Sequence, residues 1–127
     1  MVRDKYKRPY TDIVRRYNYW WQEGKNWLYI YCEISECGFE IKVIATPFHT
    51  VGSVCYYLDS EKALFSGDTL FFSTIGRTDL PTGSNKTVES SLSKLKCLPD
   101  GVKVYPGHGA CTSLDREKKY NSYLKNI

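Results

Sequence analysis

Three times along this chain, a side chain that can bind a metal comes shortly after an apolar, strand-like run. The pairs of run and side chain are Ile41–Ala45 with His49, Ala63–Ser66 with Asp68, and Val102–Tyr105 with His108. The 127 residues contain no other histidine. Glycine and proline beside these side chains provide tight turns and let the backbone come close. Because a rigid sheet aims side chains from several strand ends into one cleft, we expect the three to converge.

The chemistry of these residue types favours a divalent-metal site. Imidazole is a good zinc ligand, and a carboxylate can bridge two ions. Each position also has a plain structural interpretation, because a histidine in a turn is usually solvated and an aspartate after glycine usually caps a turn. Three strand-end positions of similar build favour a shared metal site over three unrelated turn residues.

The order of predicted elements indicates an α/β or α+β layered domain. Two strand pairs are predicted from the apolar runs, and two helices from apolar residues spaced three and four apart. The predicted elements are the pairs Leu28–Glu33 with Phe39–Ala45 and Val54–Leu58 with Ala63–Ser66, the strand Val102–Tyr105, helices over 87–98 and 113–124, and a loop over 72–85. The second pair is apolar enough that burial on both faces is expected.

Residues 1–26 are predicted to be a separate basic, aromatic segment ahead of a domain at 27–127. Apolar side chains at helical spacing predict an amphipathic helix over 11–22. They are Ile13, Tyr17, Trp20 and Trp21. Alternating cationic and aromatic residues also occur where proteins stack nucleic-acid bases. We favour packing on a core, and a net charge of +4 is too small to indicate a nucleic-acid partner.

Cysteine usage and hydropathy indicate which cellular compartment to expect for this protein. The five cysteines form no C-x-x-C pair, and the odd number argues against a disulfide framework or a zinc knuckle. Mostly buried thiols in a reducing compartment are therefore expected. The N-terminus lacks the apolar core of a signal peptide, and no run approaches the roughly 20 apolar residues of a membrane span. We expect a cytoplasmic protein without membrane contact, an organelle being the alternative.

Four motifs, taken in order, resemble the metallo-β-lactamase superfamily, and within it the glyoxalase II-like hydrolases. They are Thr46-Pro-Phe-His-Thr-Val-Gly-Ser53, Phe65-Ser-Gly-Asp-Thr-Leu-Phe71, Ile75-Gly-Arg-Thr-Asp-Leu-Pro81 and Tyr105-Pro-Gly-His-Gly109. Thr112, Glu117, Asn121 and Leu124 also fit the last helix of that subgroup. The resemblance covers about residues 38–127. It implies the C-terminal half of an αββα sandwich, with a mixed sheet covered by helices.

The resemblance also implies roles for single residues. His49 would bind a first metal, Asp68 would bridge two metals and His108 would bind the second. The flanking residues would be Thr50, Arg77 and Asp79, the last two as structural support more than as substrate contacts. The implied cofactor is zinc, with iron or manganese as alternatives and up to two ions. Metal-activated water would cleave a small-molecule thioester, and no side chain would act as nucleophile.

This sequence also departs from the family pattern. The family's H-x-H-x-D-H motif lies earlier in the chain, and here no histidine precedes His49. Phe48 stands where the family usually has glycine, and Ser122 where the subgroup usually has proline. We expect no helical thiol-binding domain after the last helix, so the resemblance does not specify glutathione. We therefore expect weak or absent metal binding and no useful turnover by this chain alone.

Three interpretations of function stay open at this point. The first is a hydrolase whose remaining ligands were lost or come from another chain. The second is a metal-free binding or structural remnant of the fold. The third, a persulfide dioxygenase-like iron enzyme, is disfavoured by the missing H-x-H and by the Tyr105–Gly109 motif. A half-domain would also expose an apolar sheet face, which predicts a homo-oligomer.

Overall fold

A computed structural model describes the backbone of residues 14–22 and 27–36 and all atoms of residues 38–127. The strands are β1 Val14–Gln22, β2 Trp27–Glu36, β3 Phe39–Ala45, β4 Val54–Leu58, β5 Ala63–Gly67, β6 Leu70–Phe71, β7 Thr74–Ile75, β8 Lys103–Pro106 and β9 Thr112–Ser113. The helices are α1 Val88–Lys96, α2 Leu114–Tyr120 and α3 Ser122–Lys125. Both predicted strand pairs are confirmed, as β2–β3 and β4–β5.

One mixed sheet organises the part of the chain that the structure describes. Its strand order is β1–β2–β3–β4–β5–β8–β9, and β6 pairs with β7 as a separate hairpin. Neighbours in the large sheet are antiparallel except β5 and β8, which are parallel. A parallel pair needs a crossover connection, and α1 lies within that connection. The predicted mixed sheet with helices is confirmed.

The predicted helix at the N-terminal end is wrong where the structure describes it. Val14–Gln22 forms β1, which pairs antiparallel with β2 in a register that sets Trp20 opposite Tyr29. Tyrosine and tryptophan favour strands. Four apolar residues at helical spacing are only weak evidence for a helix when a long strand is available for pairing. Residues 11–13 lie outside the described residues. The division of the chain at residue 26 stays a prediction.

The core lies on one face of the sheet. Alternate strand residues point to it and pack against the helices. The buried members are Phe48, Cys55, Tyr57, Leu64, Leu70, Leu92, Leu95, Val102, Val104, Leu114 and Leu124. The expectation that β4 and β5 are buried on both faces is wrong, since Tyr56 and Phe65 on the other face are 43% and 44% exposed. Apolar composition alone could not reveal which face has a partner.

The final predicted helix is two helices. Ser113 caps α2, its Oγ accepting from the Arg116 N–H at 3.2 Å. Asn121 then adopts an extended conformation, and its Oδ1 accepts from the Tyr123 N–H at 3.0 Å to start α3. Asparagine competes with helical hydrogen bonding in this way, so apolar spacing that continues to Leu124 does not keep the helix continuous.

Thiol burial differs from the expectation. Cys55 is buried, and burial raises the pKa of its thiol. Cys97 and Cys111 are exposed and free, so the prediction of mostly buried thiols is wrong for these two. Among the described residues, no helix has the length and apolar character to span a bilayer.

Glu117 is a fully buried carboxylate on α2. Its Oε1 accepts from the Ser73 backbone N–H at 2.6 Å, and its Oε2 accepts from Thr112 Oγ1 at 2.8 Å and Arg116 Nη1 at 2.7 Å. Burial by itself opposes ionisation, but these hydrogen bonds outweigh it and hold the pKa of Glu117 below its usual range.

This lowered pKa makes stability depend on pH. A carboxylate whose pKa is lower in the folded state stabilises fully above the unfolded value of about 4.3 and loses that contribution as pH falls through the folded value. We therefore expect acid to reduce the free energy of unfolding more steeply in the wild type than in Glu117→Gln. Urea unfolding of both proteins between about pH 7 and pH 3 measures this. Parallel pH profiles would contradict it.

Candidate metal centre

The three side chains singled out from the sequence lie together at one edge of the sheet. Asp68 is central: its Oδ1 lies 2.7 Å from His108 Nδ1, and its Oδ2 lies 3.4 Å from His49 Nε2. Each carboxylate oxygen therefore faces a different histidine. The three sit in the connections after β3, β5 and β8, and the parallel pairing of β5 with β8 brings two of these connections to the same edge.

The ring of His49 is held from its other side. Nδ1 lies 2.9 Å from the backbone carbonyl of Arg77, which can only accept, so Nδ1 carries the proton that is donated. In a neutral ring, Nε2 then presents a lone pair to Asp68 Oδ2, another acceptor. A proton on either group, or a cation bound between them, would join these two acceptor atoms, which lie 3.4 Å apart. A carbonyl partner of this kind orients metal-binding histidines.

Two glycines let the backbone pass close to these side chains. A Cβ on Gly76 would stand 1.8 Å from the Asp68 carbonyl oxygen and 3.2 Å from His49 Nδ1. A Cβ on Gly107 would stand 3.2 Å from both Asp68 Oδ1 and the Gly67 carbonyl oxygen. The requirement at Gly76 is one of space, since heavy atoms do not approach to 1.8 Å without a bond. Sequence reasoning expected glycine to permit close approach but did not identify Gly76.

The flanking residues support the loops around the site. The Thr50 and Ser53 hydroxyls are 2.9 Å apart and close the turn after His49. Arg77 pairs through two nitrogens with Asp79, at 2.6 and 2.8 Å, and this pair lowers the pKa of Asp79 to about 2. Both side chains are largely exposed. Arg77 therefore contributes its backbone carbonyl to the site, and its side chain braces the loop.

A buried layer lies beneath the site. Thr46 Oγ1 lies 3.0 Å from Thr69 Oγ1 and 3.5 Å from Cys55 Sγ. Phe48, which departs from the family pattern, is fully buried in the core, and its carbonyl accepts from the Ser84 N–H at 2.9 Å. The bulky residue is thus accommodated below the His49 turn and does not enter the cluster.

The donor set suits a divalent transition metal, although its geometry is not that of a complete site. Two imidazoles and a carboxylate are zinc and iron ligands, and a catalytic zinc commonly has three protein ligands. Within residues 14–22, 27–36 and 38–127, however, no three His, Cys, Asp or Glu side chains are arranged around one ion position. His49 and His108 instead contact Asp68 directly. The role of the three as metal ligands stays a prediction.

Sequence reasoning did not identify two contacts. The first is the Arg77 carbonyl, which is main chain and leaves no signal in a side-chain pattern. The second is Phe71, whose ring meets His108 edge-on with centroids 6.1 Å apart. Phe71 follows Asp68 by three residues, and only the β6–β7 hairpin turns its ring towards the site.

Known proteins are similar to this chain over most of its length. The model of the Metallo-beta-lactamase superfamily matches residues 3–108. Hydroxyacylglutathione hydrolase GloC of Haemophilus influenzae is 38% identical over 90 residues, which are 70% of this chain and 42% of that protein. Hydroxyacylglutathione hydrolase of Brucella anthropi is 53% identical over 70 residues, or 55% and 26%. The chain spans about two fifths of the length of most curated relatives it matches.

Solved structures agree with the fold. The BLEG-1 B3 metallo-beta-lactamase superposes with a TM-score of 0.70 at 40% identity, covering 72% of this chain and 44% of that one. TTHA1623, solved in a di-iron-bound form, superposes with a TM-score of 0.64 at 39% identity, covering 66% and 42%.

Proposed function

The chain belongs to the metallo-beta-lactamase superfamily, and from this premise we propose that it carries one side of the divalent-metal site of a glyoxalase II-like thioester hydrolase. The observation that carries the proposal is the Asp68 carboxylate, which presents one oxygen to His108 and the other to His49. A bridging carboxylate uses its two oxygens in this way. Two relatives named hydroxyacylglutathione hydrolase support the substrate class.

The residues of the proposed site have different roles. His49 and Asp68 would hold one ion, and Asp68 and His108 a second, zinc being the metal we expect and iron or manganese the alternatives. When bound, such ions polarise a carbonyl and acidify water. The Arg77 carbonyl keeps His49 Nε2 directed at Asp68, and Gly76 and Gly107 admit the backbone beside it. From these three residues alone, each ion would gain two of the three protein ligands usual for catalysis.

Turnover by the 127-residue chain tests whether the three residues leave the site short of metal ligands. We expect no hydrolysis of S-lactoylglutathione above the buffer rate with added zinc, manganese or iron, because metal-bound water is neither fixed nor sufficiently acidified. Metal-dependent hydrolysis by the monomeric chain would contradict the inferred shortage of ligands.

The coding sequence upstream of residue 1 separates the hydrolase from the inactive remnant. An H-x-H-x-D-H motif there predicts that the extended protein hydrolyses the thioester and that Asp68→Ala abolishes the reaction. An extended protein that has the motif, binds metal and leaves the thioester intact would overturn the substrate proposal. Absence of the motif upstream would favour the remnant.

We propose further that a second copy of the chain covers the outer sheet face. The in-register row Val43–Tyr56–Phe65–Tyr105 crosses β3, β4, β5 and β8. The Phe65 and Tyr105 rings stack at 5.3 Å, and both remain over a third exposed. The row has no charged member, so two copies related by a two-fold axis can face each other without repulsion across it. An exposed apolar patch of this kind marks an interface.

Sedimentation measures this self-association. Phe65→Lys should shift the chain towards monomer, because it puts a charge in the centre of the row. Val51→Lys adds the same charge at a loop position that is 73% exposed and should leave the distribution unchanged. Equal behaviour of the two variants, or a monomeric wild type, would exclude the face as a dimer interface.

A further inference from the structure

The contacts of Glu117 connect α2 to the loop that orients His49. The hairpin β6–β7 begins two residues after Asp68 and ends directly before Gly76 and Arg77. Its base is closed by a hydrogen bond from the Gly76 N–H to the Thr69 carbonyl at 3.2 Å. Asp68 before the hairpin and the Gly76–Arg77 segment after it are therefore both connected directly to this short hairpin.

The tip of this hairpin is bound by α2 and by the residue that follows it. Glu117 Oε1 accepts from the Ser73 N–H at 2.6 Å, and Asn121 Nδ2 donates to the Thr74 carbonyl at 3.2 Å. Ser73 has a φ of +64°, a left-handed conformation that L residues rarely adopt. Such a conformation persists where surrounding contacts determine it, and the carboxylate is one of those contacts.

A two-stranded hairpin of two residues a side has little stability of its own. Its position is set by what holds its tip and what closes its base. Release of the tip therefore lets the segment after β7 move, and with it the Arg77 carbonyl that accepts from His49. The same displacement would move the Phe71 ring from its contact with His108.

We propose that Glu117 is a positioning residue for the candidate metal centre, fixing the orientation of His49 through the β6–β7 hairpin and the Arg77 carbonyl. The metal part of this inference rests on the proposed function; the positioning part does not. A fully buried carboxylate is a costly way to stabilise a helix, and its use at the hairpin tip is consistent with a positioning role.

The ring nitrogens of His49 report this positioning without metal. We expect long-range ¹H–¹⁵N spectra of the metal-free wild type to show a proton fixed on Nδ1, and Glu117→Ala to show averaged nitrogen shifts. With only two histidines in the sequence, His108→Asn assigns the signals. Glu117→Gln keeps an oxygen that accepts from Ser73 and should restore the wild-type pattern.

Thr112→Val is the matched control. It removes the 2.8 Å hydrogen bond to the other oxygen of Glu117 and leaves the hairpin contact intact. It should lower the melting temperature and preserve the His49 pattern. If Glu117→Ala does not fold, Asn121→Ser replaces it, since serine can still cap α3 but does not reach Thr74. An unchanged His49 pattern in the hairpin variants, or an equal change in Thr112→Val, would overturn the proposal.

Cobalt titration adds the metal readout. Loss of a group that orients a ligand typically lowers metal affinity by about 10–100-fold. We expect a loss in this range for Glu117→Ala, measured from the visible absorption of Co²⁺, and wild-type affinity for Thr112→Val. A wild type that binds no cobalt while His49 still responds to Glu117 would contradict the proposed function and leave the positioning inference standing.

Discussion

Replacing Asp68 with alanine is expected to abolish binding of divalent metal by this chain. Asp68 is the only one of the three candidate ligands that contacts both others, at 2.7 Å to His108 and 3.4 Å to His49. Its removal leaves at most one imidazole for each ion position. A single histidine holds zinc far more weakly than a histidine with a shared carboxylate, and it falls furthest short of the three or four ligands of protein zinc sites.

Metal content after dialysis against zinc measures this effect. The wild type should retain a substoichiometric amount, and Asp68→Ala none above buffer. Asp100→Ala removes a carboxylate whose side chain is 92% exposed and whose only ion pair in the described part of the chain is 3.9 Å long. It should behave as wild type. Equal retention by Asp68→Ala and wild type would rule out the bridging role, and equal loss in both variants would indicate nonspecific binding.

Gly76→Ala should cause the largest structural change of any single methyl group added near the site. The new Cβ would lie 1.8 Å from the Asp68 carbonyl oxygen, so the backbone of one segment must move. A clash with backbone cannot be relieved by a rotamer change, and overpacking of even a side-chain core costs about 1–3 kcal/mol. We expect destabilisation at or above the upper end of that range, together with displacement of His49 and loss of metal binding.

Gly52→Ala is the matched control. Gly52 is an exposed loop glycine in the same region, and no heavy atom outside its immediate chain neighbours lies within 4 Å of an added Cβ. Its free energy of unfolding in urea should stay within about 0.5 kcal/mol of wild type. A Gly76→Ala protein with wild-type stability would show that the segments are not packed as closely as described.

Local sequence patterns predict part of the fold, and strand pairing and single side-chain hydrogen bonds decide the rest. Both strand pairs and the helix α1 follow from local patterns, and the three cluster residues were found because each comes soon after an apolar run. The helix predicted over 11–22 is wrong at Val14–Gln22 because apolar residues at helical spacing outweighed the strand preference of tyrosine and tryptophan, and pairing with the adjacent β2 makes this segment a strand. Asn121 interrupts the last helix through one side-chain hydrogen bond, which apolar spacing does not register.

The sequence by itself determined which side chains could form the cluster, because His49, Asp68 and His108 each stand beside turn-forming residues after a strand. Only the tertiary structure decided their geometry. The parallel pairing of β5 with β8 brings Asp68 to His108, and the Arg77 carbonyl turns His49 towards the same carboxylate. The two contacts join residues 40 and 28 positions apart, and the second is made by a main-chain oxygen, which is alike in every residue type. Such contacts leave no mark in a residue pattern, so they become visible only once the chain is folded.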